Sequence, residues 1–335
     1  MTTIAVLGAT GYTAVELLKI LLRHPGAKIT ALTSREDTRP AGQVHQCLSG
    51  RLELSLENLS PKEIAGRAEC VFSCLPHTAT AKVAPEILEN GAKVIDFGAD
   101  YRLHSAAVFK EWYGEEHPDP PRLGKVPYGL PELFRDEIKK SNIIANPGCY
   151  PTTAILALTP LLKSGLIEPS GIIIDSKSGV SGAGRKPKLN TLYPECNESI
   201  SAYGVGTHRH TPEIEQVLSG AAASPVNVIF TPHLTPMDRG ILSTIYAVPK
   251  KKLTQEYVLN ELRSFYRNEP FVKIVEHLPA SKDVSGTNFV HISARIVKDR
   301  IILVSTIDNL IKGASGAAVQ NFNLLFGYEE TTALL

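Results

Sequence analysis

Cys149 lies in the run Ala145-Asn146-Pro147-Gly148-Cys149-Tyr150-Pro151-Thr152-Thr153, between an apolar strand and an apolar helix. Pro147 and Gly148 break the strand 142–145, and Pro151 with the stretch Thr152 to Leu162 reads as a helix start. The thiol therefore falls in a sharp turn at a helix N-terminus. Unpaired backbone N–H groups and the positive end of the dipole stabilise a thiolate there. The same donors suit the oxyanion formed when sulfur attacks a carbonyl. Cys149 is the candidate nucleophile; the plainer alternative is a buried thiol capping a helix.

A second dense cluster is Tyr203-Gly204-Val205-Gly206-Thr207-His208-Arg209-His210-Thr211-Pro212-Glu213-Ile214. Thr211 as N-cap and Pro212 at the first helical position predict a helix start, with both histidines in its approach. The positive helix end disfavours an imidazolium, so a histidine here stays neutral and able to take a proton. On an extended segment His208 and His210 face one way and Arg209 the other. One histidine then serves as acid/base toward Cys149, spacing leaving the two equal, while Arg209 holds an anion. A polar cap cluster is the alternative. Between thiol and histidines lies Ser178-Gly179-Val180-Ser181-Gly182-Ala183-Gly184-Arg185, either a flexible connection or a loop closing on an anionic substrate. In the second case Arg185 or Lys186 meets its carboxylate or phosphate.

The elements that position these residues begin with a nucleotide fold. The strand Ile4 to Leu7 runs into Gly8-Ala9-Thr10-Gly11-Tyr12-Thr13-Ala14, then a helix with Leu17, Leu18, Leu21 and Leu22 on one stripe. A glycine turn between strand and helix lets the backbone approach a pyrophosphate at the helix N-terminus. The spacing G-x-x-G-x-x-A is weak alone; its place after the first strand strengthens it. The second strand, Lys28 to Leu32, ends in Thr33-Ser34-Arg35, where NAD binders carry an acid for the ribose 2′-hydroxyl. A guanidinium suits a 2′-phosphate instead, which points to NADP. Further αβ units follow at 70–74, 78–89 and 93–97. Cys70 and Cys74 share parity on a strand and no second ligand pair follows, so with His77 they read as buried thiols beside a cleft residue. No metal site is expected. Ser73 and His77 lie where strand ends line a cofactor cleft.

The second half reads as strands at 171–177, 226–231, 240–247, 289–294 and 300–307, with a helix near 254–268. The predicted fold class is α/β: a Rossmann-type doubly wound NADP domain plus an α+β domain with a mixed, largely antiparallel sheet. The expected boundaries are 1–148, rejoined by a C-terminal helix within 313–335, and 149–312. The chain has 335 residues and a net charge of +1, which gives no general attraction to nucleic acid or anionic membrane and favours small-molecule partners. No apolar run approaches the roughly 18 residues of a membrane span, and no signal pattern precedes the first strand. Five cysteines at irregular spacing suggest reduced thiols in a cytoplasm.

Together these segments resemble a known family. The motifs are G-A-T-G-Y at 8–12, P-G-C-Y-P-T at 147–152, K-S-G-V-S-G-A-G-R at 177–185, A-Y-G-V-G-T-H-R-H-T-P-E-I at 202–214 and D-N-L-x-K-G-A-x-G-A-A-V-Q at 308–320. The chain resembles, end to end, the N-acetyl-γ-glutamyl-phosphate reductase family of semialdehyde dehydrogenases. The resemblance implies NADPH, an acyl-phosphate substrate with release of phosphate, a Cys149 thioester, and arginine biosynthesis in the cytoplasm. It implies a homo-oligomer, tetramer or dimer, and favours the first histidine, His208, as acid/base over His210. Cofactor contacts are expected at Gly8, Thr10, Gly11, Tyr12, Thr13, Ser34, Arg35, Ser73, Ser178, Gly179 and Asn309. Substrate contacts are expected at Arg102, Asn146, Arg185, Tyr203, Arg209 and His210. Rival readings are an aspartyl- or aminoadipyl-phosphate reductase and a non-catalytic NADP-sensing protein.

Overall fold

The computed structural model describes residues 1–335, which divide into two compact units, 1–147 with 314–335, and 148–313. In the first unit the strands are β1 (Thr2–Leu7), β2 (Ala27–Thr33), β3 (Leu56–Glu57), β4 (Cys70–Ser73), β5 (Lys93–Asp96) and β6 (Ile143–Ala145). They form one sheet in the order β3-β2-β1-β4-β5-β6, every pair parallel. The central strands are buried on both faces, as an apolar run such as Ile4-Ala5-Val6-Leu7 requires. Crossovers run through α1 (Tyr12–Leu21), the single turn α2 (Ala41–Val44), α3 (Pro61–Arg67), α4 (Thr80–Glu89), α5 (Ala106–Tyr113) and α6 (Pro131–Lys139).

The strand order reverses beside β1, whose Leu7 pairs with Thr33 on one side and Ser73 on the other. The chain segments after these residues therefore converge at the switch point, where doubly wound sheets bind ligands. A helix at Gly316–Phe326 completes this unit. Ser315 Oγ donates to Thr13 O at 2.8 Å, Asn321 Nδ2 to Gly129 O at 2.9 Å, and the Phe322 ring lies 5.7 Å from that of Phe72. The sequence pattern opens this helix near residue 308. Instead a π-helical turn at Ile311–Ser315 precedes it.

The second unit contains β7 (Ile172–Gly179), β8 (Ser201–Ala202), β9 (Val228–Thr235), β10 (Ile241–Ala247), β11 (Val272–Ile274), β12 (Val290–Val297) and β13 (Arg300–Ile307), ordered β11-β12-β13-β10-β7-β9-β8. Two pairs, β7–β9 and β11–β12, are parallel and the rest antiparallel, the mixed sheet that the alternating pattern predicts. Its helices are α7 (Cys149–Lys163), the short α8 (Tyr193–Cys196), α9 (His210–Ala222) and α10 (Gln255–Phe265).

Helix α7 is apolar around its whole circumference and buried accordingly. A chain of buried hydroxyls fixes it to the sheet: Thr153 Oγ1 lies 2.6 Å from Ser243 Oγ, which lies 2.7 Å from Ser176 Oγ. Side chains of the opposite parity on these strands face away from α7. They leave Ile173 40% exposed and, paired with it on β9, Ile229 61% exposed.

Candidate active site

Helix α7 starts at Cys149 itself, two residues earlier than the sequence pattern suggests, with Gly148 in extended geometry as N-cap (φ −70, ψ 151). Prolines are tolerated in a first turn because N–H groups there have no intrahelical acceptor, so Pro151 falls inside the helix. Pro151 contributes no N–H, and Thr152 N–H bonds Gly148 O at 3.0 Å. The first-turn N–H groups nearest the sulfur are those of Cys149 and Tyr150.

The N–H of Gly148 is taken by Glu213, whose Oε1 accepts it at 2.8 Å with the carboxylate 1% exposed. Glu213 sits inside the histidine motif, yet sequence reasoning gave it no role. An acid in the first turn of a helix reads as dipole compensation. Gly313 was equally silent. A Cβ there would stand 2.8 Å from Cys149 Cβ, so the approach of this segment to the thiol requires glycine.

The histidine segment is not extended. Thr207 N–H bonds Gly204 O at 3.0 Å, and the turn runs into α9 with Arg209 as N-cap in αR geometry. His210 is the first helical residue, which corrects the expected start at Thr211 and Pro212. The physical reason is that the glycine turn curls the chain into helical geometry before Thr211 is reached.

Both histidines still converge. Their rings lie 4.8 Å apart and 5.7 and 5.9 Å from the Tyr150 ring. Tyr203 and Phe230, at 5.5 and 5.2 Å from His208, complete an aromatic enclosure around it. Arg209 is exposed.

Inside this enclosure burial first, and the Arg209 charge second, push His208 down to a pKa of about 4. It stays neutral at physiological pH, as the sequence argument anticipates. His208 Nδ1 accepts the His210 backbone N–H at 3.1 Å, which places the neutral ring's proton on Nε2. In that tautomer His208 is a hydrogen-bond donor.

Tyr203 Oη donates to Tyr150 Oη at 3.1 Å. Burial holds the Tyr150 phenol far above its ordinary range and pushes Tyr203 up to about 12. A negative charge on Cys149 is among the further causes for both, so the sulfur lies near enough to act on the two phenols.

The loop after β7 is short. Ser178 and Gly179 end the strand, Val180–Ala183 form a 3₁₀ turn, and Arg185 is exposed beyond it. Asn309 braces the turn, accepting the Gly240 N–H at 2.7 Å and donating to Ser181 Oγ at 3.0 Å.

In the first unit, Arg102 and Asn146 are buried and engaged within the fold. Arg102 donates to Asn146 O and Phe97 O, each at 2.8 Å, and Asn146 Nδ2 donates to Ala314 O at 3.0 Å. Ser73 is buried against Thr80, Oγ to Oγ1 2.8 Å. Burial pushes the Cys70 thiol up and Cys74 to about 12, which leaves both as unreactive thiols. His77 is exposed, edge-on to the Tyr113 ring at 5.3 Å.

The switch point of this unit opens into a cavity of about 570 Å³ lined by Gly8, Ser34, Arg35, Thr78 and Lys82, among others. Gly8 has φ +69, and a Cβ on it would lie 2.7 Å from Cys74 O, so only glycine passes here. Gly11 N–H bonds Gly8 O at 3.3 Å, and α1 begins at Tyr12. Thr10 and Thr13 stand half-buried in the same turn.

Lys82 is a second cation beside Arg35 that sequence reasoning missed, because it lies on an ordinary exposed helix face. Asp100 was missed too. Its carboxylate accepts Thr78 N–H at 2.7 Å and Ala81 N–H at 2.9 Å, holding Thr78 at φ +67 on the cavity wall.

Residues 3–141 match the model of the semialdehyde dehydrogenase NAD binding domain, and residues 149–309 that of the semialdehyde dehydrogenase dimerisation domain. N-acetyl-gamma-glutamyl-phosphate reductase of Rhodopirellula baltica is 54% identical over 338 residues, 99% of this chain and 98% of that protein. The reductase of the same name from Citrifermentans bemidjiense is 49% identical over 340 residues, covering 100% and 98%. Among solved structures, aspartate semialdehyde dehydrogenase II of Vibrio cholerae aligns with a TM-score of 0.73 at 17% identity, covering 98% of each chain. Aspartate semialdehyde dehydrogenase of Candida albicans, solved with NADP, gives 0.67 at 16%, covering 97% and 98%, a likeness of fold. With both domain models matched and near-half identity over its full length, the chain belongs to the semialdehyde dehydrogenase family, among the N-acetyl-γ-glutamyl-phosphate reductases.

Proposed function

We propose that the chain reduces N-acetyl-γ-glutamyl phosphate to N-acetylglutamate 5-semialdehyde with NADPH, through an acyl-thioester on Cys149, in arginine biosynthesis. The observation that carries this reading is a cysteine at the first position of α7, adjoining Tyr150, whose ring lies 5.7 and 5.9 Å from those of His208 and His210. The cavity at the switch point fits a dinucleotide: a Cβ-free turn at Gly8 and two cations, Arg35 and Lys82, that suit a 2′-phosphate over a 2′-hydroxyl. NADPH bound there supplies the hydride that reduces the thioester.

The chain's own residues do the rest. Cys149 Sγ attacks the γ-acyl carbon, the carbon–oxygen bond to phosphate breaks, and phosphate leaves. The first-turn N–H groups of Cys149 and Tyr150 hold the carbonyl oxygen as it gains charge. His208, neutral with its proton on Nε2, donates to that oxygen. His210 takes the thiol proton on attack and returns a proton as the thiohemiacetal collapses and the sulfur departs. Assigning the base to His210 follows from the engaged Nδ1 of His208. Glu213 fixes Gly148, and Asn309 fixes the turn after Gly179. Arg185 and Arg209, both exposed cations, meet the substrate's carboxylate or phosphate.

The free thiols at all five cysteines suit a reducing cytoplasm, and no helix is long and apolar enough to cross a membrane. Two copies pair through the sheet face that carries Ile173 and Ile229, which makes the dimer the basic assembly.

The test is NADPH oxidation with the acyl phosphate supplied, for wild type and Cys149→Ala. Loss of all turnover in the variant, and weaker use of aspartyl and aminoadipyl phosphates by wild type, are expected. Retained activity in Cys149→Ala refutes the thioester, and preference for another acyl phosphate refutes the substrate.

A further inference from the structure

We propose that His277, Asp283 and His291 form a binding site for a divalent transition metal of the zinc type, which pins the 275–284 segment to β12. Ring nitrogens of the two histidines and a carboxylate oxygen of Asp283 all lie within 4.8 Å of one another. His277 Nε2 stands 3.8 Å from Asp283 Oδ2, and the two imidazole rings meet nearly at right angles, 85°, with centroids 6.5 Å apart.

Ligands around tetrahedral zinc sit roughly 3.4 Å from each other, given metal–ligand bonds of about 2.1 Å. The cluster must therefore tighten by about an ångström. His277, 63% exposed on a loop, is free to make that movement. Two imidazoles and one carboxylate form a neutral-nitrogen, hard-oxygen set that suits zinc or cobalt and leaves a fourth position for water.

A second observation singles out this cluster. His291 Nδ1 is buried with no hydrogen-bond partner, an orphaned lone pair or N–H on a half-buried strand residue. Such an atom normally finds a partner, and a metal held at Nδ1 supplies one. Lys273 on β11 pairs in register with His291 and opposes a cation, but its ammonium lies over the Phe289 ring, 5.3 Å from the centroid.

The segment that the metal would pin is not isolated. A Cβ on Gly240 would lie 2.8 Å from Ser281 Cβ, and Gly286 N–H donates to Asp308 Oδ2 at 2.7 Å. Gly240 O in turn accepts the Gly179 N–H at 3.0 Å. A metal at this cluster thus braces the loop packed behind the Gly179 turn, without touching Cys149 chemistry.

The experiment adds Co²⁺ alone to the full-length protein and follows visible absorption, with Zn²⁺ as displacing ion. One equivalent should bind with ligand-field bands of nitrogen and oxygen donors. His277→Ala and His291→Ala should each weaken binding more than about tenfold. Zn²⁺ should raise the melting temperature of wild type only, while the metal-free variants melt with metal-free wild type. His277→Ala removes an exposed side chain and keeps the test valid if the His291 variant misfolds. Thiolate-to-cobalt charge transfer, equal binding by the variants, or no saturable binding overturns the site.

Discussion

Replacing Gly313 by alanine puts a methyl group 2.8 Å from Cys149 Cβ, 3.2 Å from Ile307 Cδ1 and 3.3 Å from Asp308 O. Carbon atoms reach favourable contact only near 3.5–4.0 Å, so about 0.7–1.2 Å must open somewhere. Asp308 cannot give. It is fully buried and accepts from Gly286, Leu310 and Ile311 N–H groups while pairing with Arg239 at 3.2 Å. Ile307 is fully buried at the end of β13, paired on both sides. The movement therefore falls on the first turn of α7.

Overpacking of this kind costs about 1–3 kcal/mol of stability, a fall in melting temperature of roughly 2–10 °C for a unit of this size. Displacing a nucleophile by about 1 Å costs on the order of 10²-fold in rate. The expected pattern for Gly313→Ala is a large loss of kcat, a moderate loss of thermal stability, and unchanged NADPH affinity by fluorescence titration. The last is expected because the proposed dinucleotide cavity is lined entirely by residues 7–83. Turnover within twofold of wild type would refute the claim that this contact sets the position of the sulfur.

Four further outcomes test the remaining roles. His210→Asn should slow both turnover and iodoacetamide alkylation of Cys149, whereas His208→Asn should cut turnover by about 10²–10⁴-fold and leave alkylation nearly unchanged; the reverse pattern reassigns the base. With its pKa lowered to about 4, His208 is neutral above that value and gains a proton only as pH falls through it. An acid limb in kcat/KM near pH 6.5 therefore belongs to another group, and its disappearance in His208→Asn would contradict this. The unfolded histidine protonates first on acidification, so His208 should also subtract stability between about pH 6.5 and 4, visible as a smaller pH dependence of Tm in His208→Asn. Arg35→Asp should reverse a preference for NADPH over NADH, and Lys82→Ala should weaken it; an unaltered nucleotide ratio in both places the 2′-phosphate elsewhere. Glu213→Gln keeps an acceptor for Gly148 N–H but removes a charge beside the helix start, so alkylation of Cys149 at neutral pH should accelerate; a slower rate refutes the electrostatic argument.

Much of this arrangement was legible in the sequence because it rests on local rules. The turn at 8–14 follows from glycines between a β-branched strand and a leucine stripe, and the thiol's helix start follows from Pro147 and Gly148. What the sequence obscured depends on tertiary neighbours. Glu213 looks like first-turn dipole compensation until the fold brings it to Gly148, 65 positions earlier in the chain. Gly313 reads as a small residue of a helix opening, and only proximity to Cys149 gives it a function. Lys82 sits on an exposed helix face, and its value lies in which cavity that face borders. The misplaced start of α9 has a local cause. Capping preference favours Thr211 and Pro212, but the turn closed by Thr207 and Gly204 sets the backbone first.

That early helix start changes the chemistry as well as the boundary. Had residues 208–210 been extended, both imidazoles would have stood on one side with free nitrogens, equivalent as bases. In the folded chain the His210 N–H turns back onto His208 Nδ1, and the two rings become unlike. One is a neutral donor, half-buried among Tyr150, Tyr203 and Phe230. The other is the first residue of α9. In the proposed mechanism both serve the Cys149 thiol. Gly148's N–H is spent on a carboxylate, Pro151 has none, and two tyrosines held protonated lie near the sulfur. The attacking thiol loses a proton while the substrate's carbonyl oxygen gains charge. The step then needs a base to draw the proton and a separate donor to hold the oxygen. Two histidines made unequal by a single backbone hydrogen bond meet both needs.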